Sequence, residues 1–234
     1  MKAFLLAAGH GTRLRPLTDD CPKCLLPIQH TPMLEIWFDL CRRYGIKEIL
    51  VNVHAHADRV KQFVRANGKD LRVHVIEEPV LLGSAGTIRA NQDWVANESL
   101  FWIFYADVLT STNLSAMLSA HTRRNPVATL GVYRVSNPKR CGIVTLGPDN
   151  IIEDFIEKPE HPASNLAFSG LIIATPKLLS AIPAHHPCDI GFDLLPRLRG
   201  SMLAYPIPDF LLDIGTRETY ESAQNIWPGL ECVR

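Results

Sequence analysis

The first 135 residues alternate short apolar stretches with amphipathic ones, and this alternation restricts the fold more than any other feature of the sequence. The apolar stretches predict strands at residues 2–7, 46–53, 71–76, 100–105 and 127–135. Helical spacing predicts helices at residues 32–44, 57–66, 85–95 and 114–122. Strands that alternate with helices form a mainly parallel sheet covered on both faces, with right-handed crossovers. The sequence therefore predicts an α/β fold.

The loops that follow the predicted strands mark the edge of the sheet where a ligand is expected. In open α/β sheets, ligands bind beyond the carboxyl ends of the strands. Residues 8–23, 77–86 and 106–112 each follow a strand. We therefore expect these three loops to converge on one site.

The pattern changes after about residue 136. Residues 141–146 and 151–157 predict a hairpin around Gly147-Pro-Asp-Asn150, and residues 166–174 predict a further strand. Short helices are expected at residues 176–182, 190–199 and 216–226, and short strands at 202–207 and 210–213. Neither a linker nor an internal repeat interrupts the sequence. We therefore expect one domain, residues 1–234, with two lobes at residues 1–135 and 136–234.

Charge and hydropathy narrow the functional class. The 24 Lys and Arg residues balance 24 Asp and Glu residues, whereas nucleic-acid-binding proteins usually carry net positive charge. No apolar run approaches the roughly 18 residues of a membrane-spanning helix. The apolar stretch after Lys2 has only six residues, fewer than a secretory signal needs. We therefore expect a cytoplasmic protein without a nucleic-acid or membrane partner.

Cysteine and histidine pairs offer a possible metal site, but their spacing argues against one. Cys21 and Cys24 form a Cys-x-x-Cys pair, yet no second cysteine pair or spaced histidine pair follows at a zinc-like distance. The pairs His54-x-His56 and His185-His186 have no matched carboxylate or cysteine in the sequence. We interpret them as surface or loop histidines. The six cysteines are too sparse for a disulfide framework.

A glycine-rich segment after the first strand is the strongest functional signal. It reads Leu5-Leu-Ala-Ala-Gly-His-Gly-Thr-Arg-Leu-Arg-Pro-Leu-Thr18, and Pro22-Lys-Cys-Leu-Leu-Pro27 follows. Gly9 and Gly11 allow the backbone to approach a ligand closely and to direct its N–H groups toward phosphate oxygens. Arg13 adds a bidentate guanidinium and Lys23 a mobile point charge, which together suit a di- or triphosphate.

The pattern of this segment selects one family of glycine-rich loops. Leu14 excludes the dinucleotide-binding pattern G-x-G-x-x-G, and the P-loop pattern G-x-x-x-x-G-K-[ST] is absent. The segment fits G-x-G-T-R-L-x-P-L-T followed by P-K-x-L-L-P, and through it the chain resembles the sugar-1-phosphate nucleotidyltransferases. Four later segments extend the resemblance over about residues 1–225: Gly83-Ser-Ala-Gly86, Ala106-Asp-Val108, Glu157-Lys-Pro159 and Asp213-Ile-Gly-Thr216.

The resemblance implies an enzyme that converts a nucleoside triphosphate and a sugar 1-phosphate into a nucleotide sugar and pyrophosphate. It implies a GT-A-like nucleotidyltransferase fold with a Rossmann-like, mainly parallel sheet. The lobe of residues 1–135 would bind the nucleotide, and the smaller lobe of residues 136–234 would bind and cap the sugar. Mg²⁺ is the implied cofactor, the two substrates are the implied partners, and homodimers are common on this fold.

Matching motifs imply roles for individual residues. Arg13 and Lys23 are the implied catalytic residues, Arg13 at the pyrophosphate leaving group and Lys23 at the α-phosphate or the attacking phosphate. Asp107 and Asp213 are the implied Mg²⁺ ligands. The implied nucleotide-binding residues are Ala7, Ala8, Gly9, Gly11, Thr12, Arg13, Glu78, Gly83 and Asp107. The implied sugar-phosphate-binding residues are Gly142, Glu157, Lys158, Ser169 and Gly170.

Glu78 favours GTP as the nucleotide. Thymidylyl and uridylyl members of the family commonly carry Gln near this position. A carboxylate only accepts hydrogen bonds, and guanine presents two adjacent donors, N1–H and N2–H₂, that match it. UTP remains an alternative, because some short uridylyltransferases that act on muramic acid phosphate also carry Glu near this position. Glu77 is a second candidate for reading the base.

Several positions depart from the family pattern and leave the sugar open. Tyr105-Ala106 replaces the usual Asn-Gly before Asp107, and Cys141 replaces the usual Tyr before Gly142. Phe168 replaces an Asn that contacts the sugar, so Asn165 could supply this contact. Mannose 1-phosphate or a related hexose or heptose phosphate is expected with GTP, and an amino sugar or muramic acid 1-phosphate with UTP. A non-catalytic nucleotide-sugar-binding module is a third reading, although the charged motif residues are intact.

Overall fold

The computed structural model describes residues 1–68 and 70–230. Its strands are β1 (Lys2–Leu6), β2 (Pro27–Ile28), β3 (Thr31–Pro32), β4 (Glu48–Val53), β5 (Arg72–Glu77), β6 (Phe101–Tyr105), β7 (Val108–Thr110), β8 (Ala128–Arg134), β9 (Gly142–Leu146), β10 (Ile152–Glu157), β11 (Leu166–Ala174), β12 (Met202–Pro206) and β13 (Leu211–Asp213). Its α-helices are α1 (Met33–Arg43), α2 (Ala57–Asn67), α3 (Ser84–Ala90), α4 (Leu114–Arg124) and α5 (Arg217–Ile226). The predicted α/β alternation is confirmed, with element ends that differ by a few residues.

The chain folds into two compact units that interleave along the sequence. The first unit comprises Met1–Leu81, Phe104–Asn113 and the described residues from Asp209 onward. The second unit comprises Leu82–Ile103 and Leu114–Pro208. The expectation of one domain with lobes divided at residue 135 stays a prediction.

The first unit contains three neighbouring parallel strands in the order β1-β4-β5. β4 pairs in parallel with both β1 and β5, because the helices of a β-α-β connection return the chain to the same end of the sheet. Helix α1 buries an apolar stripe in which the Trp37 ring stacks on that of Phe104, with centroids 4.8 Å apart. This core fixes the carboxyl ends of β1, β4 and β5 next to one another.

The second unit contains strands β8 to β12, most of which pair antiparallel. The predicted hairpin is present as β9 and β10, with Gly142 opposite Glu157. Strand β11 pairs antiparallel with β8, and β12 pairs in parallel with β8. The register of β11 shifts between Phe168 and Ile172, which marks a bulge inside the strand. The hairpin end at Glu157 and the bulge lie in segments with predicted sugar-phosphate residues.

Several segments differ from their predicted structure, among them residues 190–199 and 108–110. Residues 190–199 form a π-helical turn, Ile190–Leu194, followed by a 3₁₀ turn, Leu195–Leu198, rather than one α-helix. Pro196 explains the break, because it lacks the N–H that an α-helix needs. The short strand β7 pairs antiparallel with β13, and three residues are too few to give a clear alternation in the sequence.

All five described cysteines, Cys21, Cys24, Cys41, Cys141 and Cys188, are free thiols. Cys232 lies outside the described residues. Burial raises the pKa of Cys24 to about 12, with a smaller contribution from Cys21, so this thiol is poorly suited to redox chemistry. Within residues 1–68 and 70–230, no helix combines the length and apolarity needed to cross a membrane.

Candidate functional site

The glycine-rich loop leaves β1 and ends in a short 3₁₀ turn, Thr12–Leu14. Gly11 has a left-handed backbone with φ 64°, and a Cβ there would lie 2.9 Å from Cγ2 of Thr18. The Thr18 hydroxyl donates to the Gly11 carbonyl at 2.8 Å and holds the turn closed. Gly9, Thr12 and Arg13 are exposed, whereas Ala8 is buried. The loop therefore presents exposed backbone and one guanidinium at the end of β1.

Lys23 and Asp107 form an ion pair in the first unit. Lys23 begins a 3₁₀ turn, Lys23–Leu25, and Asp107 lies between β6 and β7. The Lys23 Nζ lies 2.6 Å from Oδ2 of Asp107, and only 11% of the lysine side chain is exposed. Burial of a lysine side chain carrying a full charge requires such a partner. The pair fixes the ammonium beside the carboxyl edge of the sheet.

Asp213 lies close to this pair, because its strand, β13, pairs with β7, which follows Asp107. It is paired with Val108, and the N–H of the next residue, Ile214, donates to the Asp107 carbonyl at 3.0 Å. The Gly215 N–H donates to Oδ1 of Asp213 at 2.5 Å. Burial, and then the charge of Asp107, raise the pKa of Asp213, while Lys23 and Arg13 act in the opposite direction. The structure therefore brings together two carboxylates and two cations.

The paired carboxylates fit a divalent metal. Asp107 and Asp213 are close enough for the charge of one to disfavour ionisation of the other, a repulsion that a cation between them would relieve. Both offer the hard oxygen donors that Mg²⁺ prefers. A Cβ atom at position 215 would lie 2.6 Å from Oδ1 of Asp213 and 2.9 Å from a guanidinium nitrogen of Arg13. The space beside the Asp213 carboxylate is therefore limited.

Glu78 is anchored by a residue that the sequence analysis did not identify. Glu78 follows β5 and is only 3% exposed, and its Oε1 accepts a hydrogen bond from Asn52 Nδ2 at 3.0 Å. Oδ1 of the same Asn52 accepts from the Ala7 N–H at 2.7 Å. This chain links the ends of β1, β4 and β5. A single amide inside the apolar run Ile49–Val53 was the available signal for Asn52.

Glu77 occupies a different environment from Glu78. It is the last residue of β5, and its carboxylate pairs with Lys61 Nζ at 2.5 Å. Half of its side chain is exposed. The packing therefore favours Glu78 over Glu77 as the inward-facing acceptor.

The second unit positions Glu157 against glycine residues. Gly142 faces Glu157 across the hairpin, and a Cβ at Gly142 would lie 2.6 Å from Oε2 of Glu157 and 2.5 Å from the Phe155 ring. Gly191 lies against the same carboxylate. Burial raises the pKa of Glu157 above its ordinary value. The positive charge of Lys158 lowers this pKa, and the negative charge of Asp189 raises it further. Only glycine leaves room for this carboxylate on both sides.

Lys158 follows the hairpin in a strained conformation. Its φ is 50°, its N–H donates to the Cys141 carbonyl at 3.0 Å, and 56% of its side chain is exposed. The Nζ lies 3.7 Å from Oε1 of Glu157 and 5.4 Å from the centre of the Phe192 ring. The left-handed backbone of a non-glycine residue is uncommon and is often found at functional sites.

Three predicted residues of the second unit have structural contacts of their own. The buried Ser169 Oγ accepts from the Leu171 N–H at 3.2 Å and lies against Gly131, so it is engaged within the sheet. Gly170 has φ 83° at the bulge of β11. Gly83 precedes α3 and packs on the backbone of Cys188. Their assignments to sugar phosphate and nucleotide stay predictions.

Sequence comparisons place these motifs in a known family. The Nucleotidyl transferase family model matches residues 2–227. A UTP–glucose-1-phosphate uridylyltransferase from Synechocystis is 30% identical over 221 residues, which cover 88% of this chain and 57% of that protein. The catalytic subunit beta of mannose-1-phosphate guanylyltransferase from Xenopus tropicalis is 29% identical over 221 residues, with shares of 92% and 61%. The chain thus spans about three fifths of the length of these relatives.

A solved structure supports the fold. The crystal structure of UDP-glucose pyrophosphorylase complexed with UDP-glucose superposes with a TM-score of 0.84 at 20% identity, and the match covers 97% of each chain. At this identity the likeness establishes the fold. The predicted GT-A-like architecture, with mainly parallel core strands flanked by helices, is confirmed.

Proposed function

Because the chain belongs to the nucleotidyl transferase family, we propose that it transfers a nucleotide from a nucleoside triphosphate to a sugar 1-phosphate. A phosphate oxygen of the sugar 1-phosphate would attack the α-phosphorus, and the bond from that phosphorus to the oxygen of the β-phosphate would break. The products are a nucleotide sugar and pyrophosphate. The observation that carries this proposal is the cluster of Arg13, Lys23, Asp107 and Asp213 beside the glycine-rich loop.

Two anions must approach each other in this reaction, so the residues mainly neutralise and position charge. The hydrogen bond to Asp107 holds the Lys23 ammonium in a fixed position. In that position the ammonium would stabilise negative charge on the reacting phosphates. Arg13 is exposed at the glycine-rich loop and suits the leaving pyrophosphate, because a guanidinium can bind phosphate oxygens bidentately. A Mg²⁺ ion held by Asp107 and Asp213 would supply further neutralisation of the phosphate oxygens.

The hairpin of the second unit supplies a suitable site for the sugar phosphate. Lys158 places an exposed ammonium next to Glu157, and Gly142 and Gly191 leave the Glu157 carboxylate unobstructed by a Cβ. We assign the phosphate to Lys158 and sugar hydroxyl groups to Glu157. Carboxylates that accept hydroxyl hydrogen bonds form strong, charge-assisted contacts.

GTP is the proposed nucleotide, and the Asn52–Glu78 hydrogen bond supports it. Asn52 donates to one oxygen of Glu78, so the carboxylate is oriented before a base arrives. An acceptor-only group at this place suits the adjacent N1–H and N2–H₂ donors of guanine. The relative from Xenopus tropicalis, a mannose-1-phosphate guanylyltransferase subunit, supports mannose 1-phosphate as the sugar substrate.

A uridylyltransferase is the second candidate. The relative from Synechocystis, at 30% identity, is a UTP–glucose-1-phosphate uridylyltransferase. A purely binding, non-catalytic module is a weaker candidate, because the charged cluster is intact. Free thiols at the described cysteines are consistent with a reducing compartment, and we propose that the reaction takes place in the cytoplasm.

The proposal is tested by assaying every combination of nucleoside triphosphate and sugar 1-phosphate. Purified protein is incubated with each of GTP, UTP, dTTP, ATP and CTP and a panel of sugar 1-phosphates, with Mg²⁺ or with EDTA, and pyrophosphate release is measured. We expect release with GTP and mannose 1-phosphate or a related sugar, and none with EDTA. Pyrophosphate release with UTP alone would contradict the proposal that Glu78 recognises guanine. No release with any pair would contradict the enzymatic proposal.

A further inference from the structure

His185, Cys188 and Asp193 form a compact group in the second unit, called here the His-Cys-Asp cluster. Their potential ligand atoms all lie within 4.8 Å of one another. The His185 Nε2 lies 3.4 Å from Oδ1 of Asp193, and Cys188 is completely buried. The sequence alone gives little sign of this group, because the fold turns residues 185–193 back on themselves. The loop-histidine interpretation overlooked these two partners of His185.

The three side chains have the donor set of a transition-metal site. A thiolate, an imidazole and a carboxylate together favour zinc-class ions over Mg²⁺, because the thiolate is a soft ligand. Bond lengths of about 2.0–2.3 Å to such an ion place tetrahedral donors about 3.3–3.8 Å apart. Modest side-chain movements would bring the donors of the His-Cys-Asp cluster from their present separations to these distances.

The backbone around the cluster is already fixed. The Cys188 N–H donates to the Leu82 carbonyl at 2.8 Å, and the Cys188 carbonyl accepts from the N–H groups of Ala85 and Gly86 at 3.0 Å each. The thiol is therefore carried on a segment tied to the start of α3. Binding to a preorganised set of ligands loses less conformational entropy than binding to a mobile loop.

The carboxylate ligand is oriented by a neighbouring residue. Oδ2 of Asp193 accepts from the Asp189 N–H at 2.7 Å, which leaves Oδ1 on the side of His185. Asp189 itself is held by the N–H groups of Gly191 and Phe192 and by the Ser84 hydroxyl. Hydrogen bonds of this kind commonly orient ligands around metal sites.

Charge near the thiol also suits a cation. A carboxylate oxygen of Asp193 lies within 4.8 Å of the Cys188 Sγ. The His-Cys-Asp cluster thus contains a thiol and carboxylate that a bound cation would stabilise together. We propose that His185, Cys188 and Asp193 bind one zinc-class divalent ion, with a fourth position left for water or another small ligand.

Such an ion would link residue 185 to residue 193. Gly191, which packs against the Glu157 carboxylate, lies within the linked segment. The ion would therefore stabilise the segment that supports Glu157 in the second unit. This inference does not depend on the proposed function, because metal binding is measured without either substrate.

Cobalt titration tests the proposal, since Co²⁺ reports thiolate ligation through a charge-transfer absorption band. The full chain is stripped of metal, kept in a non-thiol reductant and titrated with Co²⁺ in the presence of excess Mg²⁺. We expect one equivalent to bind with a thiolate band and Zn²⁺ to displace it. Absence of the band in the unsubstituted protein would overturn the proposal.

Matched variants locate the ligands. His185→Gln and Asp193→Asn should each weaken Co²⁺ binding at least about tenfold, the lower limit seen when even indirect contacts to a metal are lost. Cys188→Ser should abolish the thiolate band. His186→Gln, at the adjacent histidine, and Cys21→Ser, at a thiol in the first unit, should leave binding unchanged. Undiminished binding in His185→Gln, or loss of the band in Cys21→Ser, would contradict the assignment.

A thermal measurement keeps the test valid if the buried Cys188→Ser variant fails to fold. Over half of the His185 side chain is exposed, so His185→Gln should retain the fold. Zn²⁺ should raise the unfolding temperature of the unsubstituted protein, because ligands that bind only the folded state stabilise it. It should have little effect on His185→Gln. Equal stabilisation of both proteins would overturn the proposal.

Discussion

Lys23 and Asp107 lie 84 positions apart in the sequence, yet the Lys23 Nζ is 2.6 Å from Oδ2 of Asp107. The pair is joined by Asp213, whose pKa is raised by burial and by the charge of Asp107. A carboxylate in this arrangement has two uses. It holds the lysine in place, and under the proposed function it would also bind a divalent ion together with Asp213.

Replacement of Lys23 tests the role of its ammonium. Lys23→Gln should lower kcat/KM by about 10²–10³-fold, the cost of removing one group that stabilises transition-state charge. Lys61→Gln is the control, because Lys61 also pairs with a carboxylate, that of Glu77, in the same unit. Steady-state pyrophosphate release measures both variants. Similar losses in the two variants would indicate a structural effect rather than a role in the reaction.

Glu78→Gln tests the choice of base. Glutamine retains one acceptor but adds a donor, so it fits guanine less well and uracil better. We expect the ratio of kcat/KM for GTP to that for UTP to fall at least about tenfold, since a hydrogen bond to a charged group contributes about 1.5–3 kcal/mol.

The neighbouring Glu77→Gln is the control for this change, because the Glu77 carboxylate faces Lys61. Its GTP-to-UTP ratio should match that of the unsubstituted protein. A changed ratio in Glu77→Gln with an unchanged ratio in Glu78→Gln would assign base recognition to the other glutamate.

Gly142→Ala tests the space beside Glu157. The new methyl group would meet the Glu157 carboxylate and the Phe155 ring at 2.6 and 2.5 Å, well inside normal contact. We expect a loss of about 1–3 kcal/mol in the free energy of unfolding, typical of overpacking. The KM for the sugar 1-phosphate should rise, with that for the triphosphate little changed. The control is Cys141→Ala, at the adjacent position, which should leave the free energy of unfolding and both KM values near normal. Equal changes in the two KM values of Gly142→Ala would contradict the assignment of this space to the sugar 1-phosphate.

His121 predicts a pH dependence of stability in the second unit. It is 2% exposed, its Nδ1 lies 2.8 Å from the Thr129 hydroxyl, and burial lowers its pKa below the ordinary 6.5. A histidine with a lowered folded pKa contributes stability above its unfolded pKa and loses it as pH falls through the folded value. Urea unfolding between about pH 7 and pH 5 should therefore show a smaller decline for His121→Asn than for the unsubstituted protein. An unchanged decline would contradict this role, and the exposed His74 provides a control as His74→Asn.

Much of the fold could be predicted because several strands, such as β1, β6 and β11, are largely apolar runs. Strand β11 begins and ends at the predicted residues, Leu166 and Ala174. The segment after Ile190 could not be predicted as well, because helical spacing was present but Pro196 removed a backbone donor. The three-residue strand β7 could not be predicted, because it depends on pairing with β13, whereas β13 itself lies within the strand predicted at residues 210–213.

The candidate site shows the same division. Lys23 and Asp107 were identified through motifs, and the structure pairs them. Asn52 was overlooked, because its contact with Glu78 spans 26 positions and depends on adjacent parallel strands. The His-Cys-Asp cluster was overlooked because its three residues meet through a turn rather than through a regular spacing. Contacts made by tertiary folding leave little trace in local sequence.

Phosphorus NMR of GTP, mannose 1-phosphate and Mg²⁺ with the purified protein tests the central claim most directly. The account predicts that pyrophosphate and the nucleotide sugar appear in equal amounts. It also predicts that Asp107→Ala forms neither product, while its circular dichroism spectrum is unchanged. Formation of orthophosphate or GMP without a nucleotide sugar, or full turnover by Asp107→Ala, would contradict it.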